Sequence, residues 1–433
     1  MSPSNQPAPP SPGHLRRRLQ PTFWGLWFAG LSLLYALTAQ RGAAWQDSGV
    51  YQLRSLACDL LGPHGGACSH PLYILLSHLA TRLFGLFGCA LVSALPMALA
   101  ATLLGIILEQ LGKPRRTATL ASLLFACAHL PWWLATIPES YPLWLGLFAV
   151  QTLAAAQGRW PLAWFLAGIS LGVHNLTLLT LPALLLAAPR SAPFLLPGAL
   201  PLYLFARANA IPLGDLLVGS YGSQVCGLIP QNTTLWIANL ALFSLSLANP
   251  LWLAILRTRL RPRSNPFDRY LLAALALTSL FFVRYGVSDQ FMFGLPTLWI
   301  LALLAGLGMP TFDRLRLLPH ALVLTLSVAI PLSALAILDG HLRRPRHLPF
   351  RNEARYWLLP WKHDEASAET FARTLGVPDH PLYADTTAAP VLALHRIPHI
   401  APGDPRWRQP PAAPVLILSP IPGYAPDWLF EHP

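Results

Sequence analysis

In a chain this poor in charge, a handful of polar residues stand out. Asp47 sits beside Ser48-Gly49 in "WQDSGVYQ", and Glu139 lies in "IPESYP". His70-Pro71 opens "HPLYILLSHLATRLFG", His174-Asn175 interrupts an apolar run in "LGVHNLTLL", and Asp289 lies in "RYGVSDQF". Carboxylates and imidazoles are the groups that move protons at a reaction centre. Arg54, Arg82 and Arg284 complete the set, and a guanidinium suits bidentate contact with phosphate. Each residue also has a plainer reading. Asp47 suits the cap of a helix starting at Val50, worth about 1 kcal/mol. Glu139 and His70 suit helix starts beside Pro138 and Pro71. His174 and Asn175 suit the facing ends of two helices, and Arg284 an interfacial anchor whose charge snorkels to water. A polar pair inside an apolar run is nevertheless costly enough in a membrane to mark a candidate functional site.

The elements that must position these residues are read from composition. The 433 residues are 54% hydrophobic and 11% charged, far below the charge of a soluble domain. The net charge of +12 does not point to nucleic acid, because the basic residues fall between apolar runs rather than on one polar face. Residues 1–20 read as a disordered basic tail. Pro21–Ala39 then reads as an uncleaved anchor, since Leu37 stands where a cleavage site would need a small residue. Further apolar runs are Ala90–Leu111, Ala118–Ala135, Tyr141–Ala156, Pro161–Val173, Leu176–Ala188, Pro193–Ala208, Trp236–Leu256, Tyr270–Val283, Phe291–Leu307 and Ala321–Leu338. The expected fold is an all-α polytopic membrane domain over residues 21–340, with about eleven transmembrane helices.

Alternating the sides from an inside N-terminus puts fifteen Lys and Arg inside, from Arg16–Arg18 to Arg314 and Arg316. Five fall outside: Arg41, Arg54, Arg82, Arg207 and Arg284. The positive-inside rule favours this register. Asp47, Asp59, Glu139, Asp215 and Asp289 all fall outside. The register requires that His70–Gly85 does not cross. Ser77, His78 and Arg82 share one helical face there, so the segment reads as an amphipathic helix on the outer surface. Residues 40–89 become one long external loop.

That loop holds Cys58 and Cys68 around "GPHGG", and an external pair so spaced is expected to form a bridge. Cys226 is a rival partner, and Cys89 and Cys127 are expected to be free. Residues 341–433 read as a small external α/β domain. It carries the helical "KHDEASAETFARTL" and the strands "PLYAD" and "PVLILS". No strong metal-ligand spacing is present; His64, His70 and Asp47 are the nearest to one.

"DSG" after the first span, followed by "HPLYILL", resembles a D-S-G-E … H-P-P-G-Y-P-L pattern. That pattern belongs to bacterial relatives of the eukaryotic transmembrane O-mannosyltransferases, within the GT-C glycosyltransferases. "IPESYPLWLGLFAV" is similar to the family's E-x-Y-x-L segment and "GISLGVHNLTLLTLPALLL" to its G-L-x-x-x-N-H stretch. "VSDQFMFGLP" and "RYWLLPWKHDEASAETFARTL" resemble later segments. The chain departs from the pattern at Val50, which replaces an acid, at Leu72-Tyr73 and in the inverted order His174-Asn175.

The resemblance implies a GT-C-like fold and an inverting transfer of sugar from a polyprenyl-phosphate donor to an acceptor hydroxyl. Asp47 falls where the family places its base or acceptor-orienting acid, and Glu139, in the E-x-Y-x-L segment, is the second catalytic candidate. His70, His174, Asn175 and Asp289 fall in substrate-binding segments. Arg284, Arg82 and Arg54, in that order, are candidates for the leaving phosphate. The implied partners are membrane lipids, the lipid-linked donor and a protein, glycan or lipid acceptor, with no nucleic acid and no assigned metal. The implied location is a bacterial inner membrane, with the site and C-terminal domain periplasmic. Two other classes compete. A transporter or lipid flippase would carry its charges at the membrane midplane rather than at one surface. A non-catalytic scaffold is favoured by the lost acid at Val50 and disfavoured by retention of Asp47 and Glu139.

Overall fold

The computed structural model describes residues 20–62, 68–217, 233–260, 262, 264–285, 290–310, 317–338, 354–361, 382–384, 389–394, 397, 399, 404 and 416–418. Apolar runs become helices because hydrocarbon offers backbone groups no partner except one another. In chain order these are α1 Pro21–Thr38, α2 Gln46–Ala57, α3 Pro71–Phe84, α4 Phe87–Gln110, α5 Arg115–Ala126, α6 His129–Ala135 and α7 Ser140–Ala156. Then come α8 Trp160–Leu171, α9 Thr177–Ala187, α10 Leu195–Ala208, α11 Leu213–Leu217, α12 Thr233–Ser246, α13 Pro266–Arg284, α14 Leu295–Gly308 and α15 Leu318–Leu338. Short helices α16 Ala354–Leu358 and α17 Ala389–Leu394 follow.

Helix length does not give the expected eleven full spans. Among the described residues four helices are long and apolar enough to cross a membrane, or up to six if each of two bent pairs is one span. The missing length has local causes. Helices α8 and α9 have 12 and 11 residues, roughly 17 Å each against a hydrocarbon core of about 30 Å. The expected span Ala118–Ala135 is broken into α5 and α6 with a bend of 68°, and Trp236–Leu256 into α12 and a 3-10 helix, Pro250–Arg257, with a bend of 83°. Pro131 and Pro250 follow these breaks and supply no N–H to continue the helix.

One core joins the helices, with Trp133, Trp144, Trp299, Tyr35 and Phe148 fully buried. Its two ends differ in chemistry. At one end Glu109 accepts from Trp24 Nε1 at 2.7 Å and pairs with Arg115 at 2.9 Å, while Lys113 Nζ donates to the Met309 carbonyl. At the other end Gln40 N–H donates to the Thr136 carbonyl at 2.8 Å, beside Asp47 and Glu139. Helix α1 therefore runs from the basic layer to the acidic one. Helix α3 turns Leu75, Leu79 and Leu83 outward and buries Tyr73, Ile74, Ser77 and Thr81. At 14 residues it is too short to span.

The chain after residue 341 does not stand wholly apart. Tyr356, Trp357 and Trp361 pack against the membrane-domain core, and α17 packs on α2. Residues Leu382–Ala384 and Leu416–Leu418 form a parallel two-stranded pair, with Leu382 opposite Leu416.

Candidate active site

Asp47 lies in the first turn of α2 and is exposed. A negative charge there is favoured by the partial positive charge of the helix N-terminus. Its neighbour Ser48 is buried and donates from Oγ to Glu139 Oε1 at 2.8 Å. Glu139 is the N-cap residue of α7, yet its side chain makes no cap bond. Its backbone is held instead: Ser93 Oγ donates to the Glu139 carbonyl at 3.0 Å and accepts from its N–H at 2.9 Å. The fixed backbone leaves the carboxylate turned toward the Asp-Ser-Gly turn, so Glu139 is not the simple cap its position allows.

Asp47, Ser48 and Glu139 line one narrow cleft with Trp45, Trp133, Ile137, Met292, Tyr356 and Trp357. Two acids from distant segments thus face an aromatic wall. Trp133 and Trp357 stack with ring centroids 5.6 Å apart and planes at 21°. The chain around Trp357 is held by its carbonyls: Trp133 Nε1 donates to Tyr356 at 2.9 Å, His129 Nε2 to Trp357 at 2.7 Å and Thr136 Oγ1 to Pro360 at 2.9 Å. Ser48, Ser93, Trp133 and Tyr356 were not among the sequence candidates. Ser48 was visible inside the "DSG" motif and Tyr356-Trp357 in "RYWLLPWKHD", but nothing in one dimension brings residue 356 to residue 47.

His70 and His174 form a stacked pair behind the cleft, with ring centroids 4.8 Å apart and planes at 26°. His70 is buried and its Nδ1 donates to the Val173 carbonyl at 2.8 Å. His174 Nδ1 accepts from the Leu176 N–H at 3.0 Å, so the neutral ring carries its proton on Nε2. Burial pushes the His70 imidazole down to about 4, helped by the Arg54 charge; burial, then His70, holds His174 well below the ordinary range. Tyr141, two residues after Glu139, lies 4.8 Å from the His174 ring. Leu72 N–H also donates to the Gly172 carbonyl, clamping the start of α3 to the α8–α9 turn. Asn175 points elsewhere: its Nδ2 donates to the Leu217 carbonyl at 2.9 Å, pinning the turn to α11.

Arg54 needs correction as a phosphate ligand. It is 5% exposed, and its guanidinium donates to the carbonyls of Asp59, Leu60, Cys68 and Ser69. Four of five N–H groups are committed to holding the loop. Gly62 at φ +72° accommodates it, because a Cβ there would lie 2.6 Å from Arg54 Cζ. The expected Cys58–Cys68 bridge is corrected by the same feature: both thiols are free, and the arginine fork ties the segments that the bridge was to join. Arg82 and Arg284 end α3 and α13 and are exposed. Asp289, His64 and Cys226 lie outside the described residues. Among the described residues no three His, Cys, Asp or Glu side chains converge as a metal site.

Two crystal structures of ArnT from Cupriavidus metallidurans superpose on this architecture. With undecaprenyl phosphate bound the TM-score is 0.57 at 14% identity, and in the apo state 0.55 at 15% identity. Each alignment covers 88% of this chain and 86% of ArnT. The fold is ArnT-like. No family model and no curated protein matches the chain, so the resemblance to O-mannosyltransferase relatives rests on the quoted motifs alone.

Proposed function

We propose that the chain is an integral-membrane GT-C glycosyltransferase that uses a polyprenyl-phosphate-linked sugar. The observation that carries this reading is the cleft itself: Asp47 and Glu139, from segments 92 residues apart, share one aromatic-walled site. Its support is an ArnT-like fold, since ArnT was crystallised with undecaprenyl phosphate. In the proposed reaction Asp47 takes the proton of an acceptor hydroxyl, and the oxygen attacks the anomeric carbon. The bond to phosphate breaks, polyprenyl phosphate leaves, and the anomeric centre inverts. Glu139 positions the Asp-Ser-Gly turn through Ser48. Arg284, at an exposed helix end in the acidic layer, is the first candidate for the leaving phosphate, followed by Arg82. His70 and His174 position the start of α3, and Asp289 remains a substrate-binding candidate from the motif.

The same proposal extends to the organisation of the chain. The acidic layer faces the periplasm of a bacterial inner membrane, residues 341–433 form an external domain, and the acceptor is a hydroxyl of a protein, glycan or lipid. A mannosyl or other hexosyl donor follows from the motif resemblance. The test is transfer of radiolabelled sugar from a panel of polyprenyl-phosphate hexoses by the purified chain and by Asp47→Asn. Transfer by the wild type and loss in the variant support the reading. Equal transfer by both removes Asp47 as base, and no transfer from any donor refutes the donor class.

A further inference from the structure

Two helix breaks and the proline inside α15 lie at one place in the fold. The α5–α6 break, the break after α12 and the middle of α15 together line a second pocket. Its lining includes Cys127, His129, Ser246, Asn249, Ser327 and Pro331. A proline stands four residues after Cys127, Ser246 and Ser327, at Pro131, Pro250 and Pro331. None of these three carbonyls can therefore receive the i+4 N–H of a regular helix.

Donors and acceptors at this pocket are unequally provided for. The Leu130 N–H at the start of α6 donates to Ser246 Oγ at 2.9 Å, and the Leu251 N–H donates to Asn249 Oδ1 at 3.0 Å. The N–H groups at these two helix starts are thus capped by side chains. His129 Nε2 gives its proton to the Trp357 carbonyl, and its buried Nδ1 lone pair has no partner. Residues at the C-terminal ends of α5 and α12, Leu124 and Cys127, Leu245 and Ser246, line the pocket, and helix C-termini carry partial negative charge. The pocket thus keeps at least one buried acceptor, His129 Nδ1, without a donor.

We propose that this pocket binds one monovalent cation. Discontinuous membrane helices recurrently use broken-helix carbonyls and C-terminal ends to hold such ions, and carbonyls and hydroxyls replace the hydration shell. No acidic side chain lines the pocket, which disfavours a divalent ion. The volume of about 20 Å³ admits a single dehydrated ion or a water molecule. Occupancy bears on the catalytic cleft because His129 links the pocket to Trp357. The inference does not depend on the proposed reaction.

The test is thermal unfolding of the full chain in detergent with NaCl, KCl or choline chloride at equal ionic strength. Sodium or potassium should raise the melting temperature saturably, on the order of several degrees over choline. Pro331→Ala restores an N–H for the Ser327 carbonyl and Ser327→Ala removes a hydroxyl, so each should shrink that rise. Equal melting in all three salts would mean a water site only and overturn the proposal. A cation effect unchanged in both variants would place the ion elsewhere and overturn it as well.

Discussion

Ser48 Oγ donates to Glu139 Oε1 across 2.8 Å, joining the first turn of α2 to the start of α7. The bond is buried and its acceptor is a carboxyl group, so it belongs to the stronger class of hydrogen bonds. Ser48→Ala leaves the Glu139 oxygen short of a donor and should cost about 1–3 kcal/mol. Thermal melts of Ser48→Ala, Glu139→Gln and the double variant give the coupling. A double variant equal to the sum of the singles would show that the two residues do not act together.

Asp47 is exposed, so Asp47→Asn should stay within about 0.5 kcal/mol of wild type in stability. As the base of the proposed transfer, it should nevertheless lower the rate by about 10²–10⁴-fold. Melting temperature and initial rate, measured on one preparation, separate the two effects. A folded variant with a normal rate would end the mechanism.

Acid should weaken the fold through the histidine pair. His70 is held near 4 in the fold, against an ordinary value near 6.5. Between these values the unfolded chain binds more protons, so stability falls as pH drops from about 6.5 toward 4. Above that window the imidazole is neutral in both states and contributes no slope. His174 is shifted in the same direction and steepens the loss. Melting temperatures from pH 8 to pH 4 should show this decline, reduced in His70→Asn. A flat profile in the wild type would contradict it.

Arg54 and Arg284 should part company. Arg54→Lys supplies a point charge where four carbonyls need a planar fork. It should lower folded yield and melting temperature, while leaving donor KM unchanged in the protein that folds. Arg284→Ala should do the reverse, with wild-type melting and a raised donor KM. Donor-concentration series on the two purified variants check this, and a raised KM in the Arg54 variant alone would reverse the assignment.

Much of this arrangement was legible in one dimension because it depends on composition and period. Low charge and apolar runs dictate membrane helices, and arginine placement separates the basic end at Lys113 and Arg115 from the acidic end at Asp47 and Glu139. The "DSG" and "PES" motifs named both cleft acids. The strands "PLYAD" and "PVLILS" contain the residues that pair, whereas α3 buries Ser77 of its polar side and turns Leu75, Leu79 and Leu83 outward. What only the tertiary structure decided are contacts between segments far apart in the chain. The hydroxyl of Ser48 has no preferred partner until α7 is fixed by Ser93. Arg54 reads as a free external cation until four carbonyls close around it and make a disulfide unnecessary. Tyr356 and Trp357 follow the last span by sequence, yet their carbonyls are claimed by His129 and Trp133. Proline marks where a backbone N–H is missing, but whether three such positions meet in one pocket is set by how the helices pack, because packing contacts carry no signature in local spacing.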